Sequence, residues 1–203
     1  MSLARLARVV PVVLIVLTGC SSAADRVSHE PATGAGAPDR TAVGGPSAGT
    51  PAGAGRHAAP VEVEIPSIGV KSSLMELGLN TDGTVEVPPP DKGMTAGWYT
   101  GGAAPGESGT AVIIGHNDTR FGKAVFHDLE KLTKGADIRV RNSLGESARF
   151  TVTDSESVSK DFFPTEKVYG PARGHALRLI TCDGELDADG HPVNNLIVYA
   201  TLD

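Results

Sequence analysis

The sequence predicts an all-β domain, a barrel or a sandwich with one or two short helices, in the part of the chain after residue 60. Short apolar runs recur there between turn signals rich in Gly, Pro and Asn, and the aromatic residues all lie after residue 97. About eight short strands separated in this way are typical of all-β barrels and sandwiches. The 203 residues suffice for one such domain and little more.

The individual elements follow from the spacing of apolar side chains. Residues 61–65 alternate apolar and charged side chains, which is the period of a half-buried strand. Further strand-like runs cover residues 73–79, 84–87, 111–114, 138–142, 148–153, 176–181 and 196–201. One short helix is predicted at residues 124–132, because Val125, Leu129 and Leu132 share one helical face.

Charge and cysteine content narrow the function classes. The formal net charge is −6, and no block of basic residues exists beyond Arg5 and Arg8. A nucleic-acid partner requires a basic stripe, so none is expected. No zinc site or other cofactor is predicted, because Cys182 has no Cys or His at metal-ligand spacing. The acidic residues between 183 and 189 lack the spacing of a calcium loop and are expected to be solvated.

The N-terminus has the pattern of a secretory signal peptide. Two arginines precede nine mostly apolar residues, 9–17, which are too few to span a bilayer. The following Leu17-Thr18-Gly19-Cys20 resembles the bacterial lipobox, in which the cysteine is lipidated and becomes the mature N-terminus. Residues 1–19 are therefore predicted to be a lipoprotein-type signal peptide, and Cys20 the lipidation site. An ordinary signal peptide cleaved near residue 24 is the alternative.

Residues 20–60 are predicted to be a disordered tether. The segment is rich in Gly, Ala and Pro, and it has almost no large apolar side chain that could offset the entropy of ordering. About 40 residues of flexible coil have a root-mean-square reach of roughly 35 Å. The tether would hold a folded domain, residues 61–203, at the outer face of the cell membrane, facing the cell wall.

Two predicted strands end on residues that suit acyl transfer. The run 111–114 leads into Gly115-His116 and a polar loop, and the run 176–181 delivers Cys182. A lone free cysteine is more often a small buried hydrophobic residue than a nucleophile. However, a thiol nucleophile needs an acid or base that serves the leaving group, so Cys182 and His116 at adjacent strand ends form a workable pair.

Three segments together resemble a sortase, specifically the class F type of actinobacteria. They are Gly97-Trp98-Tyr99 with the following Pro105-Gly106-Glu107-Ser108-Gly109, then the apolar strand with Gly115-His116, then Leu179-Ile180-Thr181-Cys182. The similarity spans roughly residues 61–203. The Gly-His and Leu-x-Thr-Cys motifs in this order are a fairly specific signal, whereas either motif alone is weak.

The resemblance implies an eight-stranded sortase-type β-barrel and a cysteine transpeptidase. Sortases cleave a Leu-Pro-x-Thr-Gly-like sorting signal between Thr and Gly, form a thioacyl intermediate and pass the chain to an amine. Cys182 matches the nucleophile, His116 the proton-transferring histidine, and Thr181 the residue beside the nucleophile that shapes the substrate site. The implied partners are sorting signals of secreted proteins and an amine acceptor on a peptidoglycan precursor or another protein.

One departure concerns the arginine that the family carries on its last strand. Alignment on Asn195 puts Val193 where that arginine is expected, and a valine side chain cannot donate a hydrogen bond. Asn194, Asn195 or His191 are alternative donors, and we select Asn195 as a substrate-binding residue together with Thr181. Two further alternatives are a weak or inactive sortase-fold lipoprotein that binds peptides or acts as a scaffold, and an L,D-transpeptidase, whose Cys motif matches poorly.

Overall fold

Ten strands make up about half of the described part of the protein, residues 58–203 of a computed structural model. They are Pro60–Ile65 (β1), Val70–Leu77 (β2), Ala96–Tyr99 (β3), Gly109–Ile114 (β4), Asp118–Thr119 (β5), Gly122–Lys123 (β6), Asp137–Asn142 (β7), Ser147–Ser159 (β8), His175–Leu186 (β9) and Pro192–Leu202 (β10). Eight of them close into a barrel in the order β1-β2-β3-β4-β9-β10-β8-β7, and β5 pairs with β6 alone. The predicted eight-stranded all-β barrel is confirmed.

The helical content of the described residues is small. Thr165–Tyr169 forms one α-helix (α1), and four 3-10 helices cover Pro66–Ile68, Pro90–Lys92, Leu129–Lys131 and Lys160–Phe162. Within residues 58–203, no helix is long and apolar enough to cross a membrane. The predictions for the signal peptide, for Cys20 and for most of the tether fall outside the described residues; β1 begins at Pro60.

The barrel wall is apolar on both faces where β4 runs. Ala111 and Ile113 face the barrel interior with Phe126 and Phe150, which are fully buried. The alternate residues of β4 join a second apolar cluster beneath α1, which includes Val168, Ile180 and Tyr199. This double burial explains the unbroken apolar run in the β4 sequence, since each fully buried side chain of this size contributes about 1.5–3 kcal/mol.

Parallel pairing of β4 with β9 decides where the functional edge of the barrel lies. The register runs from Gly109 opposite His175 to Ile114 opposite Ile180. Parallel neighbours point in the same direction, so the residues that follow Ile114 and Ile180 lie at the same edge of the barrel.

Two predicted elements are wrong. Residues 84–87 do not form a strand; they make only an isolated bridge between Val85 and Leu79, because Gly83 turns the chain and the prolines at 88–90 lack the N–H groups that a ladder needs. The helix at residues 124–132 reduces to the 3-10 turn Leu129–Lys131. The amides of residues 124–126 bond instead to carbonyls of residues 117, 93 and 116, which holds this stretch extended.

Candidate active site

His116 and Cys182 emerge from neighbouring parallel strands at the same level. Ile114 and Ile180 are register partners; His116 lies two residues after the first, and Cys182 lies two residues after the second. The Gly115 amide donates to the Ile180 carbonyl at 3.0 Å. Both side chains line one cavity of about 630 Å³ at this edge of the barrel. The barrel thus brings a thiol and an imidazole, 66 positions apart in sequence, to the wall of one cavity.

Close packing requires a glycine at position 115, directly before His116. A Cβ atom at Gly115 would lie 2.6 Å from both Phe126 and Val125, which are buried in the core. No real Cβ contact is that short, so any other residue would force the strand end, and His116 with it, away from the barrel. The Gly-His motif is therefore a packing requirement at the place where the strand leaves the core.

The imidazole of His116 is held by a main-chain carbonyl. Its Nε2 lies 2.6 Å from the oxygen of Pro88, a buried residue. A carbonyl only accepts, so Nε2 carries the proton in the neutral ring and Nδ1 is the nitrogen free to exchange one. Pro88 begins a run of three prolines, whose fixed φ angles keep this carbonyl in place.

Asn117 links the histidine loop to the nucleophile strand, and the sequence analysis did not select it. Its Nδ2 donates to the main-chain carbonyl of Cys182 at 3.1 Å, and its Oδ1 is buried without a hydrogen-bond partner. Its position directly after Gly115-His116 was the available signal, but the bond depends on a long-range contact that no local pattern reveals. Asn117 fixes the spacing between the two strand ends.

The Cys182 thiol is half-buried and free, and it is flanked by polar groups. Thr181 is 3% exposed and lines the cavity, and its Oγ1 has no hydrogen-bond partner among the described residues. A buried hydroxyl without a partner costs about 1–3 kcal/mol, which a hydrogen-bonding ligand would recover. The hydroxyl oxygen itself is buried, so Thr181 contributes to the wall beside the thiol with an unpaired polar group just beneath its surface.

Strand β9 continues past the thiol to Leu186, five residues beyond its predicted end at residue 181. Gly184 adopts a φ of 81°, and the pairing with β10 shifts by one residue between Asp183 and Leu186. This is the geometry of a β-bulge with a left-handed glycine, and it lets the ladder extend to residue 186. The turn itself lies farther on, where the Asp187 side chain accepts from the Asp189 and His191 amides.

Across the ladder, the residue beside the thiol is Asn195. It is the register partner of Cys182 and lines the same cavity. Val193 lies opposite the bulge, is 40% exposed and does not line the cavity. The other two alternative donors are also elsewhere, because Asn194 donates to the Ser157 hydroxyl and His191 sits in the exposed turn.

No arginine of the described residues lines this cavity. Arg178 lies 4.6 Å above the Tyr199 ring and donates to the Leu177 carbonyl. Burial lowers the pKa of its guanidinium, as expected for a cation on the wall of the barrel. The cavity wall instead consists of apolar and neutral polar side chains with a single cation, Lys160.

Segment 163–169, which contains α1, forms the wall facing the strand ends. Phe163, Thr165 and Tyr169 line the cavity, and the Tyr169 ring meets those of Tyr99 and Phe163 at centroid distances of 5.7 and 6.0 Å. Burial raises the pKa of Tyr169 to about 12, so its hydroxyl remains protonated at physiological pH. The wall is therefore aromatic and uncharged.

An ion pair anchors α1 to the barrel. Lys167 donates to Glu156 at 2.6 Å and lies 4.5 Å from the centre of the Tyr199 ring, and the Tyr199 hydroxyl bonds the same carboxylate. Hydrogen bonds from Lys167 and Tyr199 lower the pKa of Glu156. The carboxylate therefore remains charged under all but acidic conditions and holds α1 over the cavity.

These groups suit nucleophilic acyl transfer. A thiol, an oriented imidazole and neutral donors around one cavity are the parts that such a reaction requires. Among residues 58–203, no group of three or more His, Cys, Asp or Glu side chains is arranged to hold a metal ion.

Comparison with known proteins agrees with this arrangement. A family model for the Sortase domain matches residues 63–203. Sortase C1 from Streptococcus agalactiae superposes with a TM-score of 0.56 at 20% identity, over 70% of this chain and 66% of that one. Sortase A from Corynebacterium diphtheriae gives 0.54 at 21% identity, over 72% of this chain and 62% of that one. The match thus spans just under two thirds of either structure.

Sortase A from Listeria monocytogenes superposes with a TM-score of 0.54 at 20% identity, over 72% of this chain and 88% of that one. At these identities the structural likeness concerns the fold. A comparison with curated protein sequences gives no match.

Proposed function

The chain belongs to the sortase family, and on that premise we propose that it is a cysteine transpeptidase of the class F type. Its substrate is a Leu-Pro-x-Thr-Gly-like sorting signal, cleaved between Thr and Gly. The acyl chain passes through a thioester on Cys182 to an amine on a peptidoglycan precursor or another protein. The observation that carries this proposal is the convergence of His116, just after β4, and Cys182, on the parallel strand β9, on one cavity.

In the first half-reaction the sulfur of Cys182 attacks the carbonyl carbon of the signal's Thr. The thiol proton passes to Nδ1 of His116, a C–S bond forms, and the carbonyl π bond opens so that its oxygen becomes an anion. The tetrahedral intermediate collapses, the C–N bond to Gly breaks, and His116 gives a proton to the departing amine. The Pro88 carbonyl orients the ring by accepting from Nε2–H.

In the second half-reaction the acceptor amine attacks the thioester carbon. A new amide bond forms, the C–S bond breaks, and the amine's proton returns to His116. Water in place of the amine would give hydrolysis, so the apolar walls around the thiol favour transfer by limiting the access of water.

The cavity offers separate regions for the signal's apolar and polar parts. Leu79, Val85, Val87 and Phe163 form an apolar wall that suits the Leu and Pro side chains. Thr181 and Asn195 lie at the thiol end and are the donors for the peptide backbone and for the developing oxyanion.

We also propose that the enzyme acts at the outer face of the cell membrane. The support is sequence alone: the lipobox-like residues 17–20 and the Gly/Ala/Pro-rich segment after them. Lipidation of Cys20 would anchor the chain, and the tether would let the barrel reach secreted substrates and the cell wall.

The second candidate is a sortase-fold lipoprotein that binds peptides with little or no catalysis. The neutral Asn195 beside the thiol, in a cavity that no described arginine lines, favours it. Such a protein would bind a sorting-signal peptide without forming an adduct on Cys182.

A cleavage assay separates the two candidates. We expect a fluorogenic Leu-Pro-x-Thr-Gly peptide to be cut between Thr and Gly, as read from product masses, and Cys182→Ala and His116→Ala to lose this activity. His175→Ala is the matched control, because His175 is exposed at the other end of β9. Absence of cleavage by the wild type, or undiminished cleavage by Cys182→Ala, contradicts the proposed function.

A further inference from the structure

The cavity that contains the thiol differs in charge from the rest of the protein. The chain carries 24 Asp and Glu against 18 Lys and Arg, yet no Asp or Glu lines the cavity. Its single formally charged wall residue is Lys160. This one cation therefore contributes a positive potential inside the cavity.

Lys160 directly follows β8, which is separated in the barrel by one strand, β10, from the strand β9 that carries the thiol. Cys182 pairs with Asn195, and Asn195 pairs on its other side with Val158, so the three residues form one row across β9, β10 and β8. With strands about 4.8 Å apart, Val158 lies about 10 Å from Cys182 along the sheet. Lys160 follows two residues later at the start of a 3-10 helix, where it is exposed, lines the cavity and carries its ammonium on a flexible stem.

The ammonium of Lys160 is not used elsewhere in the described structure. No ion pair or hydrogen bond of its side chain exists within residues 58–203. The neighbouring cations are engaged: Lys167 pairs with Glu156, and Arg178 lies over the Tyr199 ring. The Ser159 hydroxyl accepts from the Asp161 amide and caps the short helix, which fixes the backbone from which Lys160 projects.

We propose that Lys160 provides the positive charge of the active site, in the role that the family pattern gives to an arginine of the last strand. Its field attracts anions to the thiol end of the cavity, and in acyl transfer it stabilises the oxyanion of the tetrahedral intermediate, while Asn195 donates a neutral hydrogen bond. The catalytic part of this inference rests on the proposed function; the presence of the field does not. With the charge on the order of 10 Å from the thiol, one cation raises the local concentration of an anion, and lowers that of another cation, by about twofold to threefold each.

Charged thiol reagents measure the field without any peptide turnover. A methanethiosulfonate transfers its sulfenyl group to the Cys182 sulfur, a disulfide forms and sulfinate leaves. The rate is compared for a reagent with a sulfonate tail and one with a trimethylammonium tail, on the full chain, with the mass of the Cys182 peptide as readout so that Cys20 is not counted. We expect Lys160→Met to lower the ratio of anionic to cationic rates by about threefold to tenfold.

The controls make the result specific to this charge. Lys160→Arg should keep the wild-type ratio, and Lys134→Met, which removes an exposed lysine that does not line the cavity, should leave it unchanged. The difference between wild type and Lys160→Met should shrink at about 1 M salt, where the screening length falls to about 3 Å. An unchanged ratio in Lys160→Met overturns the proposal.

Peptide kinetics then test the catalytic part. Lys160→Met should lower kcat more than it raises KM, and Lys160→Arg should restore most of the loss. If Lys160→Met changes the ratio of reagent rates but not kcat, Lys160 does not stabilise the oxyanion, although its charge still acts on the thiol. A changed ratio in a protein that cleaves no peptide would refute the proposed function and leave Lys160 as the cationic group of a binding site.

Discussion

Asn195 is the register partner of Cys182, and both line the cavity at the edge of the barrel where β4 ends. The side chain that the last strand presents to the thiol is therefore an amide. The position where the family pattern puts an arginine, Val193, lies opposite a β-bulge and is 40% exposed. The donor at this site is neutral, and any full positive charge must come from another strand.

We predict that Asn195→Ala lowers kcat for a sorting-signal peptide by at least tenfold. Loss of one donor to an oxyanion costs about 10²–10³ in rate in well-studied enzymes, and a neutral donor here should approach the lower end. Val193→Ala is the matched control and should keep wild-type kinetics, since Val193 does not line the cavity. Equal activity of Asn195→Ala and wild type would remove Asn195 from the site.

Gly115→Ala should inactivate the enzyme and destabilise the barrel. The new methyl group would meet Phe126 and Val125 at 2.6 Å, and overpacking of this kind costs about 1–3 kcal/mol. Thermal unfolding and peptide cleavage measured together test this prediction. Gly78→Ala is the control, because its added Cβ would find its nearest neighbour, a flexible Glu86 oxygen, at 3.4 Å. Full activity of Gly115→Ala would mean that His116 does not depend on this close approach.

Asn117→Asp should separate the two strand ends while leaving the barrel folded. An aspartate has nearly the same shape but cannot donate to the Cys182 carbonyl, and its charge repels that oxygen. The expected results are a large drop in kcat and a loss of about 1–3 kcal/mol in the free energy of unfolding. Asn142→Asp breaks a comparable amide bond, to Glu146, away from the cavity and should affect activity little. If both variants retain activity, Asn117 has no positioning role.

The buried hydroxyl of Tyr169 predicts a decline of stability at high pH. Burial raises its pKa from the ordinary value near 10 to about 12, so the folded chain keeps a proton that the unfolded chain loses between these values. The unfolded state then binds fewer protons, and the free energy of unfolding falls as pH rises from about 10 to about 12. The unfolding midpoint measured at pH values between 9 and 11.5 should fall less steeply in Tyr169→Phe.

Some of that slope should remain in Tyr169→Phe, because burial raises the pKa of Tyr199 as well. Identical slopes in the wild type and in Tyr169→Phe would show that the Tyr169 hydroxyl is not buried in solution.

The features that sequence predicted best are those encoded locally. The apolar run of β4 is continuous because both of its faces are buried, the run of β9 is interrupted only by the half-buried Arg178, and each run is followed by a residue whose chemistry differs from its neighbours. The prediction that His116 and Cys182 lie close together agrees with the cavity that both line, but Cys182 lies within β9 and not at its end, and the geometry adds that β4 and β9 pair in parallel. Their catalytic roles stay predictions until activity is measured.

The features that sequence missed depend on distant contacts. The apolar face of residues 124–132 suggested a helix, but the carbonyls of residues 93, 116 and 117 capture its amides. The hydrogen bond of Asn117 to the Cys182 carbonyl joins segments 65 positions apart. Lys160 reaches the cavity only because β8 runs six residues beyond its predicted end at residue 153. None of these long-range contacts can be predicted from the spacing of apolar residues along the sequence.

The most direct test of the account is the mass of Cys182 during turnover. We incubate the full chain with a Leu-Pro-x-Thr-Gly peptide and no added amine, quench it in acid and measure intact and peptide masses. The account predicts an adduct on Cys182 equal to the peptide up to its Thr, which a small amine nucleophile then releases as the amide. A peptide that is bound but leaves no adduct on Cys182, or an adduct of the same mass in Cys182→Ala, would contradict it.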